Sequence, residues 1–390
     1  MKEIFQTVTR ALKTGQPAAL VTVTRSIGST PRHATAKMVV QADGSLVGTI
    51  GGGTMEQKAI QDALAALSTG KPGLVEYSLI GKTPDSLGLC GGTQEVFIDH
   101  LAPPPGNGRA DQSLELFETI TRACEAGEPT ALITVVRSYN GGGWDVGEKT
   151  LIRYDLSTLG ELGGEPLEPR VLAAAQQALQ QNRSIRLGFQ PKTNTFTELN
   201  SLDREPLELF IDVVQPRLEL VIIGAGHIGL ALAELGRVVG MRVIVVDDRP
   251  EWAERFPQAD ETIIVPYDAE SERLDPIPVT VTPSTYIVVA TWGWDEPALA
   301  QVVASPAPYL SLVASQRKAK IIFDSLLERG VPREDLARVR VPAGLDLKAE
   351  TPGEIALSIM AEILLLQRGA SGRPLMEIKG HPLALGPERA

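Results

Sequence analysis

The feature that most constrains this chain is that its first half is written twice. Adding 112 to a residue number lands repeatedly on the same residue type. Glu3, Phe5, Thr9, Arg10 and Gly15 return as Glu115, Phe117, Thr121, Arg122 and Gly127, and Lys37, Gly48, Gly51, Gly52 and Glu56 return as Lys149, Gly160, Gly163, Gly164 and Glu168. One inserted residue later, Glu95, Ile98 and Asp99 return as Glu208, Ile211 and Asp212. Two copies are too few for a solenoid, so the pattern predicts a paired, pseudo-symmetric domain from residues 1–101 and 113–214.

The copies diverge in three places. Gly28-Ser29-Thr30-Pro31-Arg32 becomes Asn140-Gly141-Gly142-Gly143-Trp144, Gly51-Gly52-Gly53-Thr54 becomes Gly163-Gly164-Glu165-Pro166, and Cys90-Gly91-Gly92 becomes Asp203-Arg204-Glu205. The apolar runs around them persist. Each change replaces a backbone-exposing glycine or a thiol with bulk or charge. The first copy is therefore expected to carry a ligand and the second to be mainly structural; drift of surface loops is the alternative.

At 390 residues the chain has room for two or three domains. A formal net charge of -11 argues against a nucleic-acid or anionic-membrane surface. Two cysteines, four histidines and no C-x-x-C or H-x-x-x-H spacing argue against a dedicated zinc cage and for a reducing compartment. Met1 to Leu12 does not read as a signal peptide, and Glu234 and Glu362 break the longest apolar runs. The expectation is a soluble, cytoplasmic protein.

Each copy opens with a helix and then a strand. Ile4, Phe5, Val8, Ala11 and Leu12 recur at helical spacing before the β-branched run Ala18 to Thr24. Thr54 to Leu67 predicts a second helix, with Thr54 and Gln57 as a capping box and Ala59, Ile60, Ala63, Leu64 and Leu67 as the buried stripe. Pro103 to Gly108 reads as a linker. From Arg217 strands alternate with helices, the grammar of a doubly wound parallel sheet. The predicted class is α/β: a C-terminal Rossmann-like parallel sheet and an N-terminal α+β domain built from an internal duplication. The expected boundaries are 1–104, 109–214, 217–368 and a tail at 369–390.

Gly224-Ala225-Gly226-His227-Ile228-Gly229 follows an apolar strand and opens a helix, and Asp247 ends the next strand. That combination predicts a dinucleotide site, with Gly224 for the tight turn, Gly226 for approach of a pyrophosphate and Gly229 for close helix packing; a Rossmann-like sheet that has lost its ligand is the alternative. Asp247 is expected to hold a ribose diol and to repel a 2′-phosphate. His227, at the helix start, is expected to be neutral and either to contact the ligand or to be a tolerated surface residue. Gly51-Gly52-Gly53 is expected to point N–H groups at an anion, with Ser29, Thr30 and Arg32 adding donors and charge. A hairpin needing glycine for geometry alone is the alternative, and Glu56 in the helix's first turn fits the macrodipole without a ligand. Cys90, beside Gly91 and Gly92, is a candidate soft-metal ligand or sulfur carrier, or else a buried inert thiol. Cys124 matches Leu12 and is expected in the core.

These runs, with Asp247-Asp248-Arg249, Gly344-Leu345-Asp346 and Ala349 to Ala356, resemble the xanthine dehydrogenase accessory (XdhC/CoxI) family over nearly the whole chain. The resemblance implies a protein that binds molybdenum cofactor, as molybdopterin or its dinucleotide, protects it during sulfuration, and delivers it to an apo molybdenum hydroxylase. It implies a cysteine desulfurase as second partner and a homodimer. Trp292, Ala314-Ser315-Gln316-Arg317 and Thr54 depart from the pattern usual in relatives, which leaves Cys90 as the candidate metal ligand. The rival reading is an NAD-dependent oxidoreductase, although no Tyr-x-x-x-Lys proton relay is found in the sheet domain.

Overall fold

The computed structural model describes residues 1–27, 35–78, 92–102, 109–139, 143–163, 168–200, 203–253 and 255–380. The chain divides into two compact units, Met1–Arg217 and Leu218–Ala390. The proposed linker Pro103 to Gly108 and the last ten residues lie outside the described residues.

The first unit shows the duplication as repeated topology. Its first copy runs α1 (Lys2–Lys13), β1 (Ala18–Ile27), β2 (Lys37–Gln41), β3 (Leu46–Gly48), α2 (Gly53–Thr69), β4 (Gly73–Ser78), β5 (Thr93–Leu101). The second runs α3 (Arg109–Glu125), β6 (Thr130–Arg137), β7 (Lys149–Ile152), β8 (Thr158–Leu159), α4 (Pro169–Gln180), β9 (Ile185–Gln190), β10 (Thr195–Glu198), β11 (Leu207–Val214). The sheet orders are β3-β2-β1-β5-β4 and β8-β7-β6-β11-β9-β10. They coincide strand for strand, with β10 as an added edge. Even the register shifts recur, between Val23 and Arg25 in β1 and between Glu208 and Leu209 in β11, each beside the same Arg–Glu cross-strand pair.

Strand alternation assigns the faces. Val21, Val23, Val96 and Ile98 face α2 through Met55, Ala59 and Ala63. The other face meets the second copy. There Ile4, Phe5, Val8, Leu20 and Leu101 share one core with Leu116, Phe117, Ile120, Leu132 and Val214. Phe5 and Phe117 stack with centroids 6.2 Å apart, and the hydroxyls of Thr9 and Thr121 meet at 3.2 Å. Residues related by 112 positions that touch each other must lie on a pseudo-twofold axis.

Along that axis the interface is layered. Above the shared core, Lys37 bridges to Asp212 at 2.8 Å and Lys149 to Asp99 at 2.9 Å, a reciprocal exchange between copies. Next come Phe97, Val136 and Phe210. At the strand ends lie Arg25, Arg137, Glu95 and Glu208. On β5 the side chains Glu95, Phe97, Asp99 and Leu101 all point this way, matched on β11 by Glu208, Phe210, Asp212 and Val214.

The second unit is a parallel sheet in the order β14-β13-β12-β17-β18, formed by β12 (Glu219–Ile223), β13 (Arg242–Asp247), β14 (Glu261–Ile264), β17 (Thr285–Val289) and β18 (Tyr309–Leu312). A short hairpin, β15 (Tyr267–Asp268) and β16 (Arg273–Leu274), interrupts it. Helices α5 (His227–Val238) and α10 (Pro352–Arg368) cover one face, and α7 (Asp295–Val302) and α8 (Gln316–Glu328) the other. Also present are α6 (Pro250–Ala253), α9 (Arg333–Ala337) and α11 (Leu375–Lys379), the last inside the tail that the sequence leaves unplaced.

Two details correct the sequence reading. Helix α2 starts at Gly53 with Gly52 as N-cap and no side-chain cap, so Thr54 and Gln57 form no capping box. Its buried stripe is Met55, Ala59, Ala63 and Ala66, while Leu64 is exposed. Ile60 and Leu67, also expected in the stripe, pack partly buried against the same core. Cys124 packs half-buried against the shared core, as its match to Leu12 suggests, and burial raises its thiol pKa.

Removing one member of the reciprocal ion pair strands a buried charge. Lys37→Met is expected to destabilise the first unit by about 3–5 kcal/mol, whereas adding Asp212→Leu should recover most of that loss. Urea unfolding checks this; a single variant as stable as the parent would show that the pair does not hold the copies together.

Candidate functional site

The strand ends that flank the divergent segments of the first copy lie side by side. Ile27 at the end of β1 pairs with Thr93 at the start of β5, and Thr93 pairs with Ser78 at the end of β4. Segments 28–34 and 79–91 therefore leave from adjacent strand ends. Strand β2 is antiparallel to β1 and β3 to β2, so Gly51-Gly52-Gly53 after β3 exits at the same end. Gly92 is buried at the head of β5. Ser29, Thr30, Arg32, Cys90 and Gly91 lie outside the described residues.

The glycine run needs glycine. Gly51, Gly52 and Gly53 have φ of 141°, 75° and 68°, a left-handed succession that other residues rarely adopt. Its inner N–H groups already have a partner. Glu56 Oε2 accepts from Ile50 N at 2.9 Å, Gly52 N at 3.0 Å and the Thr49 hydroxyl at 2.5 Å, while Gly51 N donates to Thr49 Oγ1 at 3.2 Å. Burial pushes the Glu56 carboxyl up, but these hydrogen bonds outweigh it and hold it below its ordinary value. Glu56 shapes the turn from inside, and among the described residues nothing lies within 4 Å of a Cβ position on Gly52 or Gly53.

The second copy builds the equivalent end differently. Glu148 accepts from Gly163 N at 3.0 Å and Asp145 N at 3.2 Å, and Glu168 caps α4. Beside them lies a cavity of about 430 Å³, lined by Asp145, Glu148 and Glu161 together with His100 and the Lys149–Asp99 pair. At matched positions the first copy has His33 for Asp145, Ala36 for Glu148 and Thr49 for Glu161, besides Gly53 for Glu165 and Cys90 for Asp203. Five carboxylates thus have no carboxylate counterpart in the first copy. The Asp203-Arg204-Glu205 stretch has become a strut: Arg204 reaches the first copy's Glu76 at 2.7 Å and Glu95 at 3.0 Å.

In the second unit the chain leaves β12 for β13 on one side, and after β14 it returns to β17 on the other side of β12, which makes the ends of β12 and β17 the crevice of the sheet. Gly224 has φ 117°, and a Cβ there would overlap the Ala290 carbonyl. A Cβ on Gly229 would overlap the Gly224 carbonyl, so α5 lies tight against the turn. Gly226 has ordinary φ and nothing within 4 Å of a Cβ position, leaving open space over the backbone.

Asp247 is fully buried rather than presented to that space. Its oxygens accept from Ala225 N at 2.5 Å and from Arg249 N, Nε and Nη2 at 3.0, 2.8 and 3.0 Å. Burial pushes this carboxyl up, yet the bonds from Arg249 and Ala225 N prevail and hold it below its ordinary value. A ribose diol reaches Asp247 only by displacing Arg249. The guanidiniums of Arg249 and Arg255 each lie 4.6 Å from the Trp252 ring, which His227 meets edge-on at 5.7 Å. Trp292, just past β17, is 88% exposed. Among the described residues no group of three or more His, Cys, Asp or Glu is placed to hold a metal ion, and no helix is long and apolar enough to cross a membrane.

Residues 11–78 and, separately, 123–190 match the XdhC and CoxI family, and residues 220–363 match the XdhC Rossmann domain. The chain belongs to the XdhC and CoxI family. The two separate matches of one family unit repeat the duplication seen in the strands. Among similar proteins, the uncharacterized protein YqeB of Escherichia coli is 31% identical over 272 residues; the match covers 69% of this chain and 49% of YqeB, so it spans about half of that relative. A probable xanthine dehydrogenase component from Bacillus subtilis is 24% identical, with 92% of this chain and 96% of the relative covered. The molybdenum cofactor insertion chaperone PaoD of Escherichia coli is 22% identical, with 93% and 87% covered. A crystal structure described as a xanthine dehydrogenase from Bacillus halodurans shares the fold, with a TM-score of 0.58, 23% identity and 98% of each chain covered.

In this family member the sequence reading missed the Arg249–Trp252–Arg255 group and the internal role of Glu56. The three-residue spacing of the first was visible; the second needed the turn itself. Gly224→Ala is expected to destabilise the second unit through its clash and positive φ, while Gly226→Ala should leave thermal unfolding unchanged; equal midpoints for both would contradict the geometry. For Glu56, a lowered folded-state pKa means stabilisation that is present above the ordinary carboxylate range and lost as pH falls through the lowered value. Glu56→Gln should therefore cost about 2 kcal/mol at pH 7 and nothing in strong acid, measured by denaturation across pH.

Proposed function

We propose that this protein is a molybdenum cofactor-binding maturation factor, with the cofactor held at the loop end of the first copy. The observation that carries the reading is the contrast at matched positions: Asp145, Glu148, Glu161, Glu165 and Asp203 in the second copy against His33, Ala36, Thr49, Gly53 and Cys90 in the first. An anionic ligand with a soft metal centre is favoured by one set and repelled by the other. The name of PaoD, a molybdenum cofactor insertion chaperone, supports the same reading.

In this reading Gly52, Gly53 and Gly92 supply close backbone approach, and Ser29, Thr30 and Arg32 supply donors and charge. Gly51 and Glu56 hold the turn, and Cys90 with Gly91 meets the metal end. When bound, the cofactor supplies the molybdenum centre that the client enzyme uses. The chain's part is to bind it, exclude water and hold it for transfer. The partners are an apo molybdenum hydroxylase of the xanthine dehydrogenase or CO dehydrogenase type, a cysteine desulfurase for sulfuration, and a second copy of this chain in a homodimer. The second unit takes a nucleotide or dinucleotide over Gly226, with Gly224 and Gly229 shaping the turn, His227 at its rim and Asp247 behind Arg249. That open cradle is also what favours the rival reading, an NAD-dependent oxidoreductase.

The two readings separate by binding. The purified chain, incubated anaerobically with molybdenum cofactor and separately with NAD, is expected to retain the cofactor and to activate an apo hydroxylase. Cys90→Ala and substitution of Gly51 to Gly53 should reduce retention at least about tenfold, the scale of one lost charge-assisted hydrogen bond. Substitution of Gly163-Gly164 should not. Hydride transfer with NAD and no cofactor retention would establish the rival; equal retention in Cys90→Ala would remove the thiol from the site.

A further inference from the structure

With the isolated bridge from Ser311 to Arg340, the parallel sheet runs β14-β13-β12-β17-β18 and one further segment, the order of dinucleotide-binding sheets. Such sheets read the ribose at the end of the second strand, where a carboxylate accepts from the diol. Here that strand is β13 and the carboxylate is Asp247, but Asp247 has nothing left to accept with. An ionised carboxylate offers about four lone-pair sites. Asp247 already receives Ala225 N and the Arg249 N, Nε and Nη2 donors, and it is fully buried. The group turned toward a ligand is Arg249.

Arg249 binds Asp247 side-on, through Nε and Nη2. That leaves the end of the fork, Nη1 with the outer hydrogen of Nη2, without a partner among the described residues. The free end is not shut in the interior, since the side chain keeps 26% exposure. Trp252 fixes a second guanidinium beside it. Arg249 and Arg255 each lie 4.6 Å from the centre of that ring, and Arg255 is exposed, with no hydrogen bond or ion pair among the described residues. His227 meets the same ring edge-on at 5.7 Å, which ties the two arginines to the start of α5 and the open backbone at Gly226. Two further carboxylates are near. Asp248 accepts from the Trp294 indole N–H at 3.1 Å and lies 3.6 Å from Arg249 Nε, the edge already turned to Asp247. Glu251 is exposed, so solvent screens its repulsion.

We propose that the second unit selects a nucleotide carrying a phosphate monoester on its ribose, and that Arg249 and Arg255 bind that phosphate. This deepens the nucleotide reading of the Gly226 cradle and rests on it. A free diol brings hydroxyl donors to a carboxylate that is saturated, and reaches it only by breaking the Arg249–Asp247 pair. A phosphate monoester brings acceptors, and the open end of Arg249 offers donors alone. A guanidinium fork takes phosphate through two parallel N–H···O bonds, and Trp252 holds both forks before the ligand arrives. The expectation that Asp247 repels a 2′-phosphate is thereby reversed, because its charge is buried and neutralised by the guanidinium.

Calorimetric titration of the full chain compares 2′,5′-ADP and 3′,5′-ADP with 5′-AMP, which has the free diol. At least one bisphosphate is expected to bind at least about tenfold more tightly than 5′-AMP, the scale of one charge-assisted hydrogen bond. Preference for the 2′-phosphate assigns the site to a phosphorylated nicotinamide dinucleotide, and preference for the 3′-phosphate to a coenzyme A type of nucleotide. Arg249→Lys keeps the charge without the fork and should bring the bisphosphate down to the affinity of 5′-AMP. Arg255→Ala, at an exposed position, should fold and narrow the preference several-fold, and it serves if the lysine variant fails to fold. A preference undiminished in whichever variants fold overturns the assignment to these arginines. Equal affinity for all three nucleotides in the parent, or tighter binding of 5′-AMP, overturns the proposal and leaves the nucleotide cradle standing. Binding of none of them overturns both, while cofactor retention by the first copy is decided by its own test.

Discussion

The first unit depends on the exchange of Lys37 and Lys149 for each other's aspartates. Each lysine is buried on its own copy's β2-type strand and satisfied by Asp212 or Asp99 of the other copy. Neither copy can bury its lysine alone, because the desolvation of a lone ammonium would not be repaid. The exchange sets the two sheets at one relative register: a slide of one residue along β5 or β11 would turn every aspartate to the opposite face. The aromatic layer and the arginine cluster follow from that register, because Phe97 and Glu95 lie two and four residues from Asp99 on the same face. The shared apolar core provides most of the adhesion between the copies, and the ion pairs decide which arrangement it takes.

Much of this architecture was legible in the sequence for a specific reason. The duplication is an identity between positions, and identity survives where periodicity is ambiguous. Phe5 and Phe117 were matched by number before their rings could be known to stack. The parallel sheet was legible because β12, β13 and β17 are unbroken apolar runs, each closed by a glycine, aspartate or threonine. Strand β4 was not, since Gly73 to Ser78 alternates weakly and owes its place to pairing with β5. The start of α2 was misplaced because Thr54 and Gln57 satisfy a local rule, while Glu56, from inside the first turn, reaches back to the N–H groups of Ile50 and Gly52 ahead of the helix.

The candidate site was legible as chemistry but not as accounting. Gly51 to Gly53 and Gly224 have the positive φ values, and Gly229 the close helix approach, that the glycine spacing leads one to expect. What single positions cannot show is which donors are already spent. Glu56 takes the inner N–H groups of the first loop, and Arg249 takes both oxygens of Asp247. In both places an internal charge stands where a ligand group was expected, and the arrangement became visible only when every polar atom was followed to its partner.

The axis through Phe5 and Phe117 lies inside one polypeptide, and that has an evolutionary consequence. In a dimer of identical chains every mutation is made twice, so a residue gained for one site is imposed on its twin, and a strut that closes one mouth closes both. Joining the copies end to end removed that constraint. Arg204 could brace the first copy, and Leu74 and Arg186 could part company, without either change being mirrored. A symmetric ancestor would have had two equal ends; in this chain each half can take its own course.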